Sequence, residues 1–160
     1  MTKLQSTLVL MVSLIVVALI AAAGGMMTAA SVGDWYLTLI KPPLNPPGFV
    51  FGPVWTLLYA MMAIAAWRVY ISSASSDAKS EALTAYGMQL ALNLSWSYFF
   101  FYQQNPFAAL LVIITMWGLI AATMILFKRI DRLSGQLLIP YLTWVSFAAY
   151  LNASIWWLNG

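Results

Sequence analysis

Four long stretches without a charged residue restrict the possible folds of this chain more than any other feature of its sequence. They cover residues 4–33, 42–67, 82–127 and 133–160. A helix needs about 20 mainly apolar residues to cross the hydrocarbon core of a bilayer. The third stretch is long enough for two such helices. It divides at the polar segment 103–105, after which Pro106 can begin a new helix.

These stretches predict an all-α integral membrane protein, a five-transmembrane-helix bundle that forms one domain over residues 1–160. Each span must be helical, because unpaired backbone polar groups in lipid cost several kcal/mol. Pro140 lies near the start of the last span and is expected to bend it. The predicted spans are 7–27, 51–70, 82–101, 106–127 and 135–157.

The composition favours lipid as the solvent and excludes several kinds of chemistry. Hydrophobic residues make up 63% of the chain and charged residues 7%, whereas soluble domains carry roughly 25% charged residues. The absence of Cys and His excludes disulfides, thiol catalysis and imidazole acid–base chemistry, and removes common ligands of zinc and haem iron. We therefore expect no metal site and no required cofactor.

The first span has two interpretations. Lys3, the apolar run after it and the small residues at 21–23 fit a signal peptide with a cleavage site. The apolar stretch continues to Ala30, however, which is long for the hydrophobic region of a signal peptide. We therefore favour a retained transmembrane helix.

The basic residues are distributed unevenly about the predicted helices. With five spans, six of the seven Lys and Arg residues fall on the side of the N-terminus, and only Lys41 falls on the other. Because cytoplasmic loops carry an excess of Lys and Arg, we expect a cytoplasmic N-terminus and an external C-terminus. We expect this multi-pass protein in the bacterial inner membrane.

The longest predicted loop runs from about residue 30 to residue 51 and is stiff. Trp35 and Tyr36 precede segment 41–47, KPPLNPP, whose two Pro-Pro pairs forbid a continuous helix. Composition leaves two alternatives open, an ordinary loop at the membrane interface or a rigid lid over the helix bundle.

Three predicted helices each place aromatic residues on one face, at helical spacings of three or four residues. Gln89 and Asn93 are the most informative, because amides in lipid must face protein, water or a ligand. Under a lid, the three faces would form a pocket for a flat apolar ligand, although plain helix packing explains the same spacing. The faces consist of Trp55, Tyr59, Met62 and Ala66, then Gln89, Asn93, Trp96 and Phe100, and finally Tyr141, Trp144, Ala148 and Leu151.

Two further patterns concern partners and transport. Gly87 and Ala91 form a small-residue pair on roughly the opposite helix face, which allows close helix contact within the chain or between two copies. Inside the predicted spans the only acid or base is Arg68, near a helix end. Ion-coupled transporters usually keep intramembrane ionisable groups, so a coupled pump is disfavoured. No motif indicates binding to nucleic acid.

Several motifs along the chain occur together in one family. They are WY at 35–36, KPPLNPP at 41–47, FGPVW at 51–55 with Tyr59, LNLSW at 92–96 with FF at 99–100, and PYLTW at 140–144 with LN at 151–152. In this order they resemble the TspO family (TspO/MBR), the tryptophan-rich sensory proteins related to the mitochondrial translocator protein or peripheral benzodiazepine receptor. The resemblance covers nearly the whole chain.

The resemblance implies a five-helix bundle, usually a homodimer, with a pocket capped by the first loop. Members of the family bind porphyrins such as protoporphyrin IX and benzodiazepine-site ligands, and mitochondrial relatives also bind cholesterol. Some bacterial members are described as promoting light-dependent porphyrin degradation, in which case Trp55 and Trp144 would be the catalytic residues. By position, the pocket would consist of Trp55, Asn93, Trp96, Tyr141 and Trp144, beneath the loop that contains Trp35, Tyr36 and Pro47.

Two features of this sequence narrow the expected ligand. The cholesterol motif of the mitochondrial relatives needs a basic residue soon after a tyrosine, and none follows Tyr150 here, which argues against strong sterol binding. Without His or Cys, an iron porphyrin lacks its usual axial ligands. Metal-free porphyrin is therefore the better candidate, with its carboxylates near Lys41, loop amides or water.

Three functions follow. We favour a membrane receptor or sensor that binds a porphyrin and has a role in tetrapyrrole or stress regulation. The first alternative is an enzyme that photo-oxidises the porphyrin with tryptophan as electron donor. The second is a transporter of porphyrin or another lipophilic molecule, although the lack of intramembrane charges argues against an ion-coupled version.

Overall fold

The computed structural model describes residues 1–160 and consists of helices and the segments that connect them. Two short helices, α2 (Trp35–Thr38) and α6 (Arg132–Leu137), join longer ones. A 3₁₀ turn, Gly48–Val50, leads into the second long helix, and a π-helical segment, Tyr98–Tyr102, ends the third. The long helices are α1 (Lys3–Ala29), α3 (Phe51–Ile71), α4 (Ser76–Ser97), α5 (Pro106–Ile130) and α7 (Ile139–Asn159).

Four helical segments are long and apolar enough to cross a membrane, so the chain is an integral membrane protein. α4 is not among them, because Asp77, Lys79 and Glu81 occupy its first two turns and amide side chains follow further along. The structure thus provides four apolar spans and one long helix of mixed composition. The four segments are Lys3–Ala29, Gly48–Ile71, Pro106–Ile130 and Arg132–Asn159.

Side-chain caps place several helix starts. Thr2 Oγ1 accepts a hydrogen bond from the backbone N–H of Gln5 at 3.2 Å, and Gln5 Oε1 accepts one from the N–H of Thr2 at 2.9 Å. This reciprocal pair is a capping box, so α1 begins before the predicted residue 7. Ser75 caps α4, which begins before the predicted residue 82. Pro140 lies in the first turn of α7, where it begins that helix instead of bending it.

The end of α4 is widened and then sharply reversed. The N–H of Gln103 donates to the carbonyl of Tyr98 at 2.8 Å, the i-to-i+5 bond of a π-helix. Gln104 has φ 52°, in the left-handed region that L-residues adopt mainly in tight turns. Asn105 Oδ1 then accepts from the N–H of Ala108 at 3.0 Å and caps α5. The chain therefore turns back within residues 103–105.

α1 packs antiparallel to α3 and lies at the edge of the bundle. Ser13 Oγ donates to the carbonyl of Ala63 at 2.8 Å, and Trp67 Nε1 donates to the carbonyl of Ser6 at 3.0 Å. Val17 is the only buried residue of α1. The core therefore forms mainly among α3, α4, α5 and α7, and includes Met62, Ala66, Leu90, Ile113, Met116, Ile120, Phe127, Tyr141 and Val145.

An ion pair ties α3 to the start of α6. Arg68 Nε lies 2.7 Å from Asp131 Oδ2, and Arg68 Nη2 lies 3.0 Å from Asp131 Oδ1. Ser134 donates to Asp131 Oδ2 from its backbone N–H at 2.9 Å and from its hydroxyl at 2.6 Å. The hydrogen bond from Arg68, assisted by those from Ser134, holds the pKa of Asp131 well below its usual range.

The structure collects the basic residues at one end of the bundle. The antiparallel α1–α3 pair and the Arg68–Asp131 ion pair bring the start of α1, the end of α3 and the end of α5 together. Lys79 Nζ donates to the carbonyl of Tyr70 at 3.0 Å, which joins the start of α4 to the same end. Lys41 lies at the opposite end, in the loop that contacts the C-terminal end of α7.

Candidate functional site

A chain of hydrogen-bonded side chains crosses the middle of the bundle. Tyr59 OH donates to Asn93 Oδ1 at 2.7 Å, and Asn93 Nδ2 donates to Tyr141 OH at 2.9 Å. Tyr141 OH donates to Gln89 Oε1 at 2.7 Å, and Gln89 Nε2 lies 3.8 Å from Met62 Sδ. These contacts join α3, α4 and α7. They leave the two amides that sequence analysis singled out bonded to protein groups.

Trp55 lies against this chain of polar side chains. Its ring centroid is 5.6 Å from that of Tyr59 and 6.2 Å from that of Tyr141. Trp55 and Tyr59 share a face of α3 because they are four residues apart. Hydrogen bonding of the two phenols fixes their rings, and the rings in turn position the half-buried indole.

Trp96 is fixed by both stacking and hydrogen bonding. Its ring stacks on Phe100 with centroids 5.2 Å apart and meets Phe101 edge-on at 5.9 Å. Its Nε1 donates to Asn152 Oδ1 at 2.9 Å, and Asn152 Nδ2 donates to the carbonyl of Pro106 at 2.8 Å. The indole N–H thus has a partner within the protein, and the ring is held between α4 and α7.

The first loop contacts the same aromatic group. Trp35 meets Phe100 edge-on with centroids 5.8 Å apart, and Tyr36 lies 5.7 Å from Phe101. The buried Ser31 Oγ donates to the carbonyl of Phe101 at 2.7 Å. The π-helical segment presents these two phenylalanines in succession, so it carries the surface on which the start of the loop rests.

Trp144 differs from Trp96 in its polar atom. Its ring contacts Phe51 at 5.9 Å and Phe147 at 5.7 Å. Its Nε1 is buried and has no hydrogen-bond partner. Such an unpaired donor costs stability in a folded protein and calls for an explanation. On the same helix, Ala148 is half-buried and Leu151 is buried.

Polar contacts also fix the middle of the loop. Ile40 pairs through its backbone N–H and carbonyl with the side-chain amide of Asn159, both at 2.9 Å. Lys41 Nζ lies 4.7 Å from the ring centroid of Tyr36, a cation–π distance. Tyr36 OH is 3.4 Å from Asn45 Oδ1. Lys41 therefore provides the positive charge at this end of the bundle.

The sequence profile of the TspO/MBR family matches residues 12–158. The chain belongs to the TspO/MBR family. It is 42% identical over 137 residues to the tryptophan-rich protein TspO of Chlorobaculum tepidum, which covers 86% of this chain and 87% of that protein. It is 38% identical over 155 residues to the tryptophan-rich protein TspO of Archaeoglobus fulgidus, with 97% and 99% covered. It is 36% identical over 123 residues to the translocator protein of Homo sapiens, with 76% and 73% covered.

In this TspO/MBR chain the predicted site residues fall into neighbouring groups along α4. One group surrounds Asn93 and the other surrounds Trp96, one helical turn apart. Pro47 is exposed in the loop, and Gly87 and Ala91 are exposed on α4. The first group contains Trp55, Tyr59, Asn93 and Tyr141, and the second contains Trp35, Tyr36, Trp96 and Phe100. Trp144, Ala148 and Leu151 lie further along the helix that carries Tyr141, where Trp144 contacts Phe51 and Phe147.

Three polar residues that shape the site of this TspO/MBR chain were not among the predicted site residues: Ser31, Asn159 and Asn152, the last of which entered only as part of the LN motif at 151–152. Asn152 was detectable, because an amide in an apolar helix carries the same signal as Asn93. Ser31 and Asn159 bond to backbone groups, and nothing in their local sequence identifies those partners.

A groove at this end of the TspO/MBR chain lies outside the predicted site. It has a volume of about 470 Å³ and runs between the loop and the last turns of α7. It shares no residue with the predicted pocket. Its lining consists of Pro42, Pro43, Tyr150, Ala153, Ser154, Trp156, Trp157 and Leu158.

Proposed function

We propose that this chain is a membrane receptor or sensor that binds a flat hydrophobic ligand, a porphyrin such as protoporphyrin IX, at the aromatic site between α3, α4 and α7. The observation that carries this proposal is the placement of Trp55, which lies against two hydrogen-bonded tyrosines at 5.6 and 6.2 Å. A tryptophan fixed in this way offers a rigid π-face to a planar ligand.

The polar groups favour a ligand that accepts hydrogen bonds. Asn93 and Trp96 already have protein partners, whereas the buried Nε1 of Trp144 has none. A pyrrole nitrogen or a carbonyl of the ligand would supply the missing acceptor. Lys41, at the same end of the bundle, would meet ligand carboxylates at the mouth of the site. The chain has neither His nor Cys, so binding rests on stacking and shape, and metal-free porphyrin fits best.

The names of the relatives support a sensory role. The chain is 39% identical over 143 residues to the tryptophan-rich sensory protein of Cereibacter sphaeroides, with 88% of each chain covered. Taken with the translocator protein name of the human relative, this supports the role of a membrane sensor or receptor. For this chain we propose a role in tetrapyrrole or stress regulation.

The proposed membrane arrangement has five spans. α4 would be the fifth, because it packs between apolar spans and buries its two amides. Segment 39–47, with its proline pairs, would be the lid of the site. The basic end would face the cytoplasm, which places the N-terminus inside and Lys41 outside the bacterial inner membrane. Gly87 and Ala91 are exposed on α4, and we propose that they contact a second copy in a homodimer.

The test is titration of the purified full-length protein with protoporphyrin IX, first in the dark, with tryptophan fluorescence as the readout. We expect saturable quenching that weakens about tenfold in affinity in Trp144→Phe and in Trp55→Phe, because each loses stacking area and Trp144 also loses its free donor. Trp117→Phe is the matched control, since that indole is 42% exposed and bonds to Ser146. Absence of saturable quenching at micromolar ligand would overturn the proposal.

Illumination separates the photochemical alternative from binding. In this alternative dissolved oxygen would be the oxidant that breaks down the light-excited porphyrin, and Trp55, which is in contact with two phenols, would lie against the ligand. Loss of the porphyrin absorption bands under light, slower in Trp55→Phe and Trp144→Phe, would identify a porphyrin-degrading enzyme. Movement of intact porphyrin across a liposome membrane would instead identify a transporter.

A further inference from the structure

The side chain of Asn159 engages one residue of the first loop through both of its polar atoms. Asn159 Oδ1 accepts from the backbone N–H of Ile40, and Asn159 Nδ2 donates to the carbonyl of Ile40, each at 2.9 Å. Nδ2 also donates to the carbonyl of Ile155 at 2.8 Å, which fixes the amide on the last turn of α7. The amide thus satisfies both backbone groups of Ile40, as a neighbouring strand would.

These are the only hydrogen bonds that join residues 39–47 to a long helix of the bundle. The other hydrogen bonds of this segment are local and include those from Lys41 Nζ to the carbonyl of Leu39 at 3.2 Å and from Asn45 to Tyr36 and Pro46, beside short-range backbone bonds. Of the remaining residues Pro42 is buried, whereas 43, 44 and 47 are exposed. The segment therefore depends on Asn159 for its directional attachment.

The two ends of the loop differ in how firmly they are held. On the α1 side, Ser31 bonds to the carbonyl of Phe101 and Trp35 packs on Phe100. Beyond Ile40, the proline pairs make the segment stiff, so it moves as a unit. Breaking the contact at Asn159 would remove the hydrogen bonds that join residues 39–47 to a long helix, while Trp35 stays in place and Lys41 and Asn45 keep their contacts with Tyr36.

We propose that Asn159 is a positioning residue that latches segment 39–47 over the aromatic site and sets the rate at which a ligand enters and leaves. This inference rests on the proposed function. The latch is closed before and after binding, so its loss makes opening easier in both states. The association and dissociation rate constants then both rise and their ratio stays constant, whereas damage to the aromatic site itself would weaken the affinity for the ligand.

The experiment compares the full-length protein with Asn159→Ala and Asn159→Leu by stopped-flow tryptophan quenching with protoporphyrin IX in the dark. Loss of these two exposed hydrogen bonds should raise the association and dissociation rate constants about tenfold each, with the dissociation constant unchanged within twofold. Leu44→Ala is the control, because Leu44 is 67% exposed and lies in the same segment without contacting Asn159 through a hydrogen bond. It should leave both rates at the parent values.

Amide hydrogen exchange provides a readout that needs no ligand. In both Asn159 variants the N–H of Ile40 should exchange at least tenfold faster, while the amides of α3 and α5 keep their protection. Unchanged exchange at Ile40 overturns the latch. Unchanged rate constants, or a dissociation constant that rises through the dissociation rate alone, also overturn it. If the parent protein shows no saturable quenching, the proposed function fails, and hydrogen exchange alone then decides whether the latch exists.

Discussion

At the scale of single residues, the buried polar groups of α4 and α7 bond mainly to one another. Spacing in the sequence identified the helix face that carries Gln89 and Asn93. It did not identify their partners, because Tyr141 is 48 residues from Asn93 along the chain and the pairing depends on how the helices are rotated. The same limit applies to Trp96 and Trp144, which look alike in sequence and differ in their hydrogen bonding.

That difference predicts unequal effects of the same substitution. Trp96→Phe should destabilise the protein by about 1–3 kcal/mol, because Asn152 Oδ1 loses the donor it accepts from at 2.9 Å. Trp144→Phe should cost less, since it removes a buried N–H that has no partner. Thermal unfolding of the parent and both variants in the same detergent, without ligand, measures which substitution costs more stability. Equal or reversed losses would show that packing, and not the hydrogen bond, dominates at these positions.

At the scale of elements, a local sequence signal located the start of α5 but did not locate close contacts between helices. Asn105-Pro106 begins that helix for reasons that are visible locally, whereas Pro140 was expected to bend the last span and instead lies in the first turn of α7. The approach of α6 to α5 has no such signal. A Cβ on Gly135 would lie 2.5 Å from Lys128 Cβ and 2.8 Å from Lys128 Cα, and this closeness depends on the fold around Asp131.

Two glycine substitutions should therefore act in opposite directions. Gly135→Ala should destabilise the protein by about 1–3 kcal/mol, because the new methyl group meets the backbone of α5. Gly118→Ala should stabilise it by up to about 1 kcal/mol, because open space surrounds that helical position. Thermal unfolding of the two variants and the parent measures both changes in stability. A neutral Gly135→Ala would mean that α6 can shift without loss.

The ion pair at the start of α6 predicts a pH dependence. The pKa of Asp131 is lowered in the folded state by Arg68. The ionised carboxylate therefore makes its full contribution to the free energy of unfolding above the unfolded pKa of about 3.9, and this contribution is lost as the pH falls below that value. Asp131→Asn should lower the melting temperature at pH 7 by the equivalent of about 1 kcal/mol, since the pair is partly exposed. The difference in melting temperature between Asp131→Asn and the parent should narrow below about pH 4. A gap that is constant down to pH 3 would contradict this assignment.

At the scale of the whole molecule, counting uncharged stretches identified a helical membrane protein. Composition was less informative for α4, which combines charged residues in its first turns with buried amides. Its long-range hydrogen bonds to α3 and α7 explain how such a helix is stabilised in the bundle. Those contacts come from distant parts of the chain, so local composition does not reveal them.

Whether α4 crosses the bilayer can be tested with single cysteines, because the chain contains none. We expect Gln103→Cys and Leu44→Cys to react with a membrane-impermeant maleimide in intact cells, and Ser73→Cys to react only after permeabilisation. This pattern follows if α4 is a span and the basic end faces the cytoplasm. The parent protein is the control for labelling. Reaction of positions 73 and 103 from the same side would leave four spans.

The pairing of Ile40 with Asn159 also determines when, during synthesis, the first loop can attach to α7. Its partners are 119 residues apart, so at 5–20 residues per second the ribosome needs roughly 6 to 24 seconds to make the second after the first. The contact between Ser31 and Phe101 spans 70 residues and becomes available earlier. A nascent chain therefore anchors the start of its first loop before the last helix exists to secure the rest.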